Sequence, residues 1–278
     1  MVLRLVVYGI IGYSALVLAA YLWQRRMVYF PDREKPLASQ ARSLGLRFWP
    51  ESGDTYRGFI GVTTPADKKG VAVVFHGNAG RALDRSYYIH ALVPLGYRVV
   101  VAEYPGYGGR RGIVAERHIV EDAKETVRRA REEFGGPVFL WGESLGCGVA
   151  SSIAAAPPVP IAGVVMITPW DSLPAVAQTL YWYFPARLLI RDRYDNVRNL
   201  QAYKKPVAVV LAEQDEIIPK KHSMRLYESL TAPKRLWILG GTGHNSWPVG
   251  PHEHWWHEVM DFVSANKIPQ RKVENHKN

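Results

Sequence analysis

Residues 138–148 read VFLWGESLGCG and carry the clearest indication of how the chain folds. The first four are a continuous apolar run, which is typical of a strand buried on both faces. Gly142 and Gly146 then flank Ser144, and glycines here permit a sharp turn from strand into helix. Such a turn holds the serine in an unfavourable backbone conformation and exposes its hydroxyl. A plain glycine-rich turn is the alternative, but the position after a buried strand favours a nucleophile.

Short apolar runs alternate with helix-length segments along most of the chain. The runs predicted as parallel strands are Val71–Phe75, Tyr97–Ala102, Val138–Trp141, Ile161–Ile167, Val207–Leu211 and Arg235–Leu239. The clearest helix lies within Val114–Phe134, where apolar residues recur at gaps of three and four. This alternation predicts a mostly parallel central sheet with right-handed crossovers and helices on both faces. Two earlier runs, Leu44–Trp49 and Gly58–Val62, are predicted to be antiparallel strands.

The composition fits one large globular domain. The chain has 278 residues, 47% of them hydrophobic, and a net charge of +10. The basic residues are scattered and no nucleic-acid motif accompanies them, so we expect the charge to attract anionic lipid headgroups, not nucleic acid. Cys147 is the only cysteine, which excludes an internal disulfide and a cysteine-based zinc site.

The amino end predicts a membrane anchor. Leu5–Trp23 contains no charged residue and approaches the roughly 20 residues that a membrane-spanning helix needs. Arg25 and Arg26 follow it directly. A cleaved signal peptide is the alternative, although its apolar core is normally only about 7 to 15 residues long. Basic residues after the segment outnumber those before it, which slightly favours a cytoplasmic main domain; large domains translocate despite such charges.

These observations divide the chain into parts. We expect an anchor with its flank at residues 1–28, a catalytic domain at 29–266 and a polar tail at 267–278. The aromatic-rich stretch at about 171–203 is the least regular part of the catalytic domain, and it lies between two predicted strands. We interpret it as an inserted cap.

A serine hydroxyl needs a base, and the base needs an orienting acid. Both partners are expected in loops after later strands, where ligands bind at the carboxyl ends of a parallel sheet. Asp215 follows Val207–Leu211, and His244 follows the last strand in a glycine-rich loop. Glu213 and Glu216 are alternative acids. The expected catalytic residues are therefore Ser144, Asp215 and His244.

Acyl transfer also needs two backbone amides that hold the developing oxyanion. Leu145, the residue after the serine, is expected to supply one. The loop HGNAG at residues 76–80 follows the strand Val71–Phe75, and Asn78 is the preferred second donor, with Ala79 as the alternative. A phosphate-binding loop would require a lysine and a hydroxyl that this loop lacks.

A histidine cluster near the carboxyl end raises the question of a metal. In the zinc motif H-E-x-x-H the second histidine lies four residues after the first. His252 is followed at that spacing by Trp256, so the motif fails. We interpret His254 and His257 as part of a polar helix face, and the predicted chemistry needs no metal and no organic cofactor.

Several motifs together resemble a membrane-anchored branch of the α/β-hydrolase-domain serine hydrolases. They are HGNAG at 76–80, EYPGYGG at 103–109, GESLG at 142–146, TPWDSLPAVA at 168–177, RLLIRDRYDN at 187–196, EQDEIIP at 213–219 and GTGHNSW at 241–247. The resemblance extends from about Tyr29 to Phe262. It implies the α/β-hydrolase fold, a Ser-Asp-His triad on Ser144, Asp215 and His244, and an oxyanion pair at Asn78 and Leu145.

The resemblance also implies hydrolysis of esters or thioesters through an acyl-enzyme, often with lipid-like substrates. The expected partners are an acyl ester, a lipid or an acylated protein, with membrane lipid around the amino-terminal helix. The cap offers a candidate acyl pocket at Trp170, Leu173 and Trp182, although aromatic residues are as typical of an ordinary core. Relatives commonly have other residues at Glu103, Pro105 and Arg110, so substrate preference does not carry over through that loop. An amidase or peptidase, or a catalytically silent membrane-tethered interaction module, is the alternative function.

Overall fold

A computed structural model describes residues 1–50 and 55–265. Its strands, in chain order, are β1 (Phe30–Pro31), β2 (Leu46–Trp49), β3 (Gly58–Gly61), β4 (Gly70–Phe75), β5 (Ala79–Gly80), β6 (Tyr97–Ala102), β7 (Val138–Glu143), β8 (Ile161–Ile167), β9 (Val207–Ala212) and β10 (Lys234–Leu239). Every strand predicted from the sequence is present. Their ends agree with the prediction to within two residues.

The helices connect the strands and flank the sheet. In chain order they are α1 (Val2–Val28), α2 (Ala38–Ser43), α3 (Tyr87–Leu92), α4 (Glu116–Phe134), α5 (Leu145–Ala155), α6 (Leu173–Leu180), α7 (Ala186–Leu189), α8 (Asn196–Leu200), α9 (Lys220–Ser229) and α10 (His254–Ser264). A single 3₁₀ turn, Ala82–Arg85, precedes α3 in the described part of the chain. The helix predicted within residues 114–134 is α4.

The central sheet has eight strands in the order β10-β9-β8-β7-β4-β6-β3-β2. From β10 to β6 all neighbours are parallel, whereas β3 pairs antiparallel with both β6 and β2. The predicted mostly parallel sheet, with antiparallel strands from the start of the chain, is confirmed. The carboxyl ends of the parallel strands β4, β7, β8, β9 and β10 therefore lie along the same side of the sheet. We call this side the carboxyl edge, and ligands bind there in such sheets.

Helices cover both faces of the sheet. On one face α4 and α5 pack with residues such as Val73 and Leu140 in one hydrophobic cluster. On the other face α3 and α10 pack with residues such as Val74 and Trp141 in a second cluster. Burial on both faces explains why the strands are apolar throughout instead of alternating with polar residues.

The helix α1 is long and apolar enough to cross a membrane, by its length and composition. None of its residues is buried in the protein. Its carboxyl end leads directly into β1, which pairs with β5 beside the loop at residues 76–80. This helix therefore ends next to the carboxyl ends of the parallel strands.

Three short helices, α6, α7 and α8, lie between β8 and β9. We call residues 171–203, which contain them, the cap. Its later part is fixed to α5, because Asn196 contacts Ser151 at 2.6 Å and Tyr194 lies against Gly148. The division into anchor, catalytic domain, cap and tail stays a proposal, and the tail at 267–278 lies outside the described residues.

Candidate active site

The turn between β7 and α5 has the strained conformation that the sequence predicts. Ser144 has φ 50° and ψ −113°, a backbone region that favours glycine. A Cβ on Gly146 would lie 1.9 Å from the Phe75 carbonyl oxygen, and one on Gly142 would lie 2.5 Å from the Gly146 oxygen. Both glycines are therefore required by close backbone contact, and the serine is held at the start of α5.

Three predicted side chains meet at this turn. Ser144 Oγ lies 2.9 Å from His244 Nε2, and His244 Nδ1 lies 2.8 Å from Asp215 Oδ2. An ionised carboxylate only accepts hydrogen bonds, so Nδ1 of His244 donates to Asp215. In a neutral imidazole Nε2 is then the acceptor, and the Ser144 hydroxyl donates to it. His244 is only 5% exposed.

Asp215 and His244 each lie in a loop that follows a parallel strand, so both are at the carboxyl ends of the strands. Asp215 follows β9, and its Oδ1 accepts the amides of Ile217 at 3.0 Å and Ile218 at 2.7 Å. These bonds fix the carboxylate while Oδ2 stays available to the imidazole. His244 follows β10 in the glycine-rich loop.

The two alternative acids hold this histidine loop instead of contacting the imidazole. Glu216 accepts the backbone amide of His244 at 3.0 Å, and Glu213 accepts the amide of Gly241 at 2.8 Å. The His244 amide hydrogen bond lowers the pKa of Glu216 below its usual value. Sequence reasoning treated these carboxylates as rivals of Asp215 and missed their positioning contacts.

The two residues expected to supply the oxyanion donors, Asn78 and Leu145, line the same cavity as Ser144. Leu145 begins α5, so its amide has no partner within the helix. The side chain of Asn78 donates to the Val28 carbonyl at 2.7 Å. The role of its backbone amide as an oxyanion donor stays a prediction.

Residues that follow β6 form hydrogen bonds with the loop at 76–80 and hold it in place. The Tyr104 hydroxyl donates to the His76 carbonyl at 2.7 Å, and the Tyr107 hydroxyl donates to the Asn78 carbonyl at 2.8 Å. Glu103 lies 3.2 Å from His76 Nε2, and both are buried. The departures from the family pattern near Glu103 therefore affect the support of this loop.

The sequence profile of the Hydrolase_4 family, described as serine aminopeptidase S33, matches residues 66–188. The Mycobacterium tuberculosis protein MT2364 is 32% identical over 251 residues, which cover 86% of this chain and 87% of that protein. The esterase Pf2001 of Pyrococcus furiosus superposes with a TM-score of 0.64 at 17% identity, covering 85% of this chain and 96% of the esterase.

This chain belongs to the α/β-hydrolase family. A further relative is the lysophosphatidylserine lipase ABHD12 of Macaca fascicularis, 29% identical over 189 residues. That match covers 61% of this chain and 47% of the lipase, so the hydrolase spans about half the length of that relative. The fold and the hydrolase class expected from the motifs are confirmed.

Glu143, between Gly142 and the serine of the hydrolase, is a charged residue that sequence reasoning did not single out. Its carboxylate lies 3.1 Å from the Arg85 guanidinium and accepts the Tyr87 hydroxyl at 2.7 Å. Burial alone would raise the pKa of Glu143, but Arg85 and the Tyr87 hydroxyl outweigh it and keep the pKa below its usual value. The only signal in the sequence was a carboxylate inside an otherwise buried turn.

The hydrolase encloses a cavity of about 960 Å³ that contains Ser144 and His244. Its walls come from the cap, from α1 and from the loops at the carboxyl ends of the strands. Trp170 and Leu173 line it, as predicted for an acyl pocket. Trp182 does not: it is 78% exposed on the outside of the cap, so its assignment to the pocket is corrected. A run of adjacent aromatic residues does not show by itself which ones face inward.

Cys147 lies beside the serine but is fully buried in α5. Its thiol contacts the Gly142 carbonyl at 3.1 Å, and burial raises the pKa of this thiol well above its usual value. A thiol held in this way is inert as a nucleophile. Gly148, the next residue of α5, lies against the Tyr194 side chain.

Among residues 1–50 and 55–265, no group of three or more His, Cys, Asp or Glu side chains is arranged to hold a metal ion. His254 and His257 lie on α10, as expected for a helix face. His257 pairs with Asp261 one turn later at 3.0 Å. Two other histidines, His76 and His222, are buried beside carboxylates.

Proposed function

We propose that this hydrolase cleaves carboxylic ester or thioester bonds of lipid-like or acylated substrates, with Ser144 as nucleophile. The observation that carries the proposal is the hydrogen-bonded chain from Ser144 through His244 to Asp215, open to a large cavity with mostly apolar walls. The strained turn that holds the serine adds support, since such strain persists where the surroundings enforce it.

In the proposed reaction His244 removes the hydroxyl proton as Ser144 attacks the acyl carbon. Asp215 keeps Nδ1 protonated and stabilises the imidazolium that forms. The imidazolium then protonates the leaving alcohol or thiol, and an acyl-enzyme remains on Ser144. Water, deprotonated by His244, releases the carboxylic acid and restores the serine.

The backbone amides of Asn78 and Leu145 are the proposed donors to the tetrahedral oxyanion. Loss of one such donor typically costs about 3 kcal/mol of transition-state stabilisation. Tyr107 and Val28 hold the carbonyl and the side chain of Asn78, so its amide is preorganised. The amino end of α5 adds its dipole at the same place.

The cavity supports a lipid-like substrate. The charged side chains that line it, Arg85 and Glu143, are paired with each other, so the rest of the wall suits an acyl chain. The named relatives include a lysophosphatidylserine lipase and an esterase. We further propose that α1 anchors the hydrolase in a membrane, where such substrates are concentrated.

The family description as a serine aminopeptidase makes peptides the second candidate substrate. An aminopeptidase must recognise a free ammonium group, for which an unpaired carboxylate is the usual partner. The cavity offers Glu143, whose charge Arg85 already balances. This pairing favours the ester over the peptide.

Labelling with a fluorophosphonate probe tests the nucleophile. We expect the wild type to be labelled and Ser144→Ala and His244→Ala to lose the label, because the probe reacts with an activated serine. Ser43→Ala, a serine on the surface of α2 far from the site, is the matched control and should be labelled as the wild type is. Label retained in Ser144→Ala would overturn the assignment.

Substrate class is then measured on matched compounds. We expect turnover of oxygen and thiol esters with long acyl chains to exceed that of aminoacyl amides with the same acyl group. A preference for aminoacyl amides would replace the lipid-esterase proposal by the aminopeptidase one. A folded wild type without labelling or turnover would instead support a silent, membrane-tethered module.

A further inference from the structure

The anchor helix forms part of the wall around the proposed nucleophile. One side of α1 lines the cavity that holds Ser144 and His244; the residues include Leu16, Ala19, Ala20, Trp23 and Met27. A simple tether would have no reason to face the reacting groups. Because α1 forms part of the cavity wall, the cavity lies next to the lipid that would surround a membrane-spanning helix.

Polar contacts fasten the cap to α1 over much of its length. At the domain end, Arg25 forms two hydrogen bonds with Asp192, at 3.0 and 3.2 Å. Further along, Gln24 bonds to the Leu189 carbonyl and the Arg191 amide. Each contact joins segments more than 160 residues apart in the chain.

Of these contacts between α1 and the cap, the one farthest from Arg25 is made by Tyr13, in the middle of α1. The Tyr13 hydroxyl donates to the Tyr183 carbonyl at 3.0 Å, and its ring stacks on Phe184. Tyr13 precedes Arg25 by 12 residues, which is about 18 Å along a helix axis. If Arg25 and Arg26 mark the headgroups, this part of the cap lies within the roughly 30 Å hydrocarbon core.

The outer surface of the cap is apolar, which suits a position in the hydrocarbon core of a membrane. Residues 172–190 contain a single charged side chain, Arg187. Leu188 is 84% exposed and Trp182 is 78% exposed, and neither lines the cavity. Beyond this stretch the charged residues resume with Arg191, where headgroups are expected.

Several polar backbone groups of the cap tip have internal partners, which is what lipid requires of groups at that depth. Gln178 donates to the carbonyls of Trp182 and Phe184, at 3.4 and 2.9 Å, and accepts the amide of Arg187 at 3.1 Å. One side chain thereby covers three polar groups of the loop between α6 and α7. With the Tyr13 contact, four backbone groups of this region are bonded within the protein, beneath the apolar outer face.

We propose that residues 180–190 of the cap insert into the same leaflet as the second half of α1, and that acyl chains of that leaflet enter the Ser144 cavity directly. The leaflet is the one nearest the catalytic domain, whichever side of the membrane that is. The cap and α1 form one membrane-embedded unit. The route for the substrate rests on the proposed function, whereas the insertion of the cap does not.

Insertion is tested on the full-length protein in vesicles of phosphatidylcholine and phosphatidylglycerol. A fluorophore is attached through Leu188→Cys or, as the matched control, Val62→Cys, an exposed apolar residue at the opposite edge of the sheet. Native Cys147 is fully buried and protected from labelling. We expect lipids with spin labels on their acyl chains to quench the probe at 188 and aqueous iodide to quench the probe at 62. Quenching at 188 by iodide alone would overturn the insertion.

The route is tested with Leu188→Asp and the control Val62→Asp. We expect Leu188→Asp to hydrolyse a soluble short-chain ester as the wild type does, but an ester embedded in vesicles about tenfold more slowly or worse, because a carboxylate opposes insertion. Val62→Asp should leave both rates unchanged. Equal vesicle rates for Leu188→Asp and wild type would overturn direct entry. Loss of both activities would mean misfolding, in which case uncharged Leu188→Asn is compared on the same two substrates.

The failures of the two proposals are distinguishable. If fluorophosphonate does not label Ser144, the proposed function fails while the depth measurement at 188 still decides insertion. If Ser144 is labelled and soluble esters are cleaved, but the probe at 188 stays in water, only the further inference fails.

Discussion

Glu143 stands one residue before the proposed nucleophile, Ser144, and is held by groups that come from elsewhere in the chain. Arg85 donates to Oε1 of its carboxylate and Tyr87 to Oε2, and a Cβ on Gly77 would lie 3.4 Å from Oε1. A buried charge is stable only when it is paired in this way. We therefore expect Glu143 to position the turn and the loop relative to each other, as a structural support for Ser144.

Replacing this carboxylate should change how stability depends on pH. The folded pKa of Glu143 is lowered, so its stabilisation is complete above about pH 4.3, the usual value for Glu, and is lost as pH falls through the folded pKa. Glu143→Gln should unfold more easily at neutral pH by about 3 kcal/mol, because Arg85 stays buried without its partner. Its melting temperature should also fall less steeply in acid.

Thermal unfolding in detergent, followed from neutral to acid pH, measures both effects. Glu121→Gln is the matched control, since Glu121 pairs with Lys124 on the exposed surface of α4, where such pairs are worth little. Identical pH profiles for the wild type and Glu143→Gln would contradict the role given to the charge.

Among the secondary-structure elements, α1 and the cap depend on each other through a partly buried ion pair. Asp192 is 7% exposed and is bound by Arg25 and by the Tyr29 hydroxyl, at 3.0 Å. Burial raises the pKa of Tyr29 far above its usual value, so this hydroxyl stays a donor. Removal of Arg25 would leave Asp192 with a buried and poorly compensated charge.

Arg25→Gln is therefore expected to loosen the cap. The Arg25 side chain is 36% exposed, so we expect a loss of about 1–3 kcal/mol, below the range for fully buried pairs. In the reconstituted protein, protease cleavage within residues 180–190 should become faster. The exposed neighbour Arg26→Gln is the control and should behave as the wild type does. A cap equally resistant in both variants would show that Arg25 does not hold it.

Some features of these elements were predictable from the sequence, and others became known only from the structure. Strands β4 and β6–β10 were predictable because continuous apolar runs have a local signal. Ser144, Asp215 and His244 were brought together as expected, because strand order and loop position fix which residues share the sheet edge. The orientation of Trp182 and the pairing of Glu143 with Arg85 had no such signal, since both depend on contacts between distant segments.

At the level of the whole molecule, α1 lines the cavity and is also the proposed membrane anchor. Two truncations separate these contributions. A protein starting at residue 23 lacks wall residues such as Leu16 and Ala20 but keeps Arg25 and Val28. A protein starting at residue 29 also loses the partners of Asp192 and Asn78.

We expect the shorter truncation to keep fluorophosphonate labelling of Ser144 and to lose activity selectively toward long acyl chains. Each methylene that no longer meets the wall forfeits up to about 0.8 kcal/mol, so kcat/KM for long chains should fall about tenfold or more. The longer truncation should also be labelled more slowly and melt earlier. Turnover of esters with short and long acyl chains, measured in detergent, gives the chain-length preference of each truncated protein. Unchanged chain-length preference in the protein starting at residue 23 would contradict a wall role for α1.

The hydrogen bond from Asn78 to the Val28 carbonyl has a consequence for regulation in the cell. It couples the last turn of α1 to the loop proposed to stabilise the oxyanion. A protein cut at this point would lose the Val28 contact and the part of the cavity wall that α1 supplies, while Tyr104 and Tyr107 would still hold the loop. We infer that a hydrolase released from α1 would react more slowly, so that its full activity depends on its attachment to this helix.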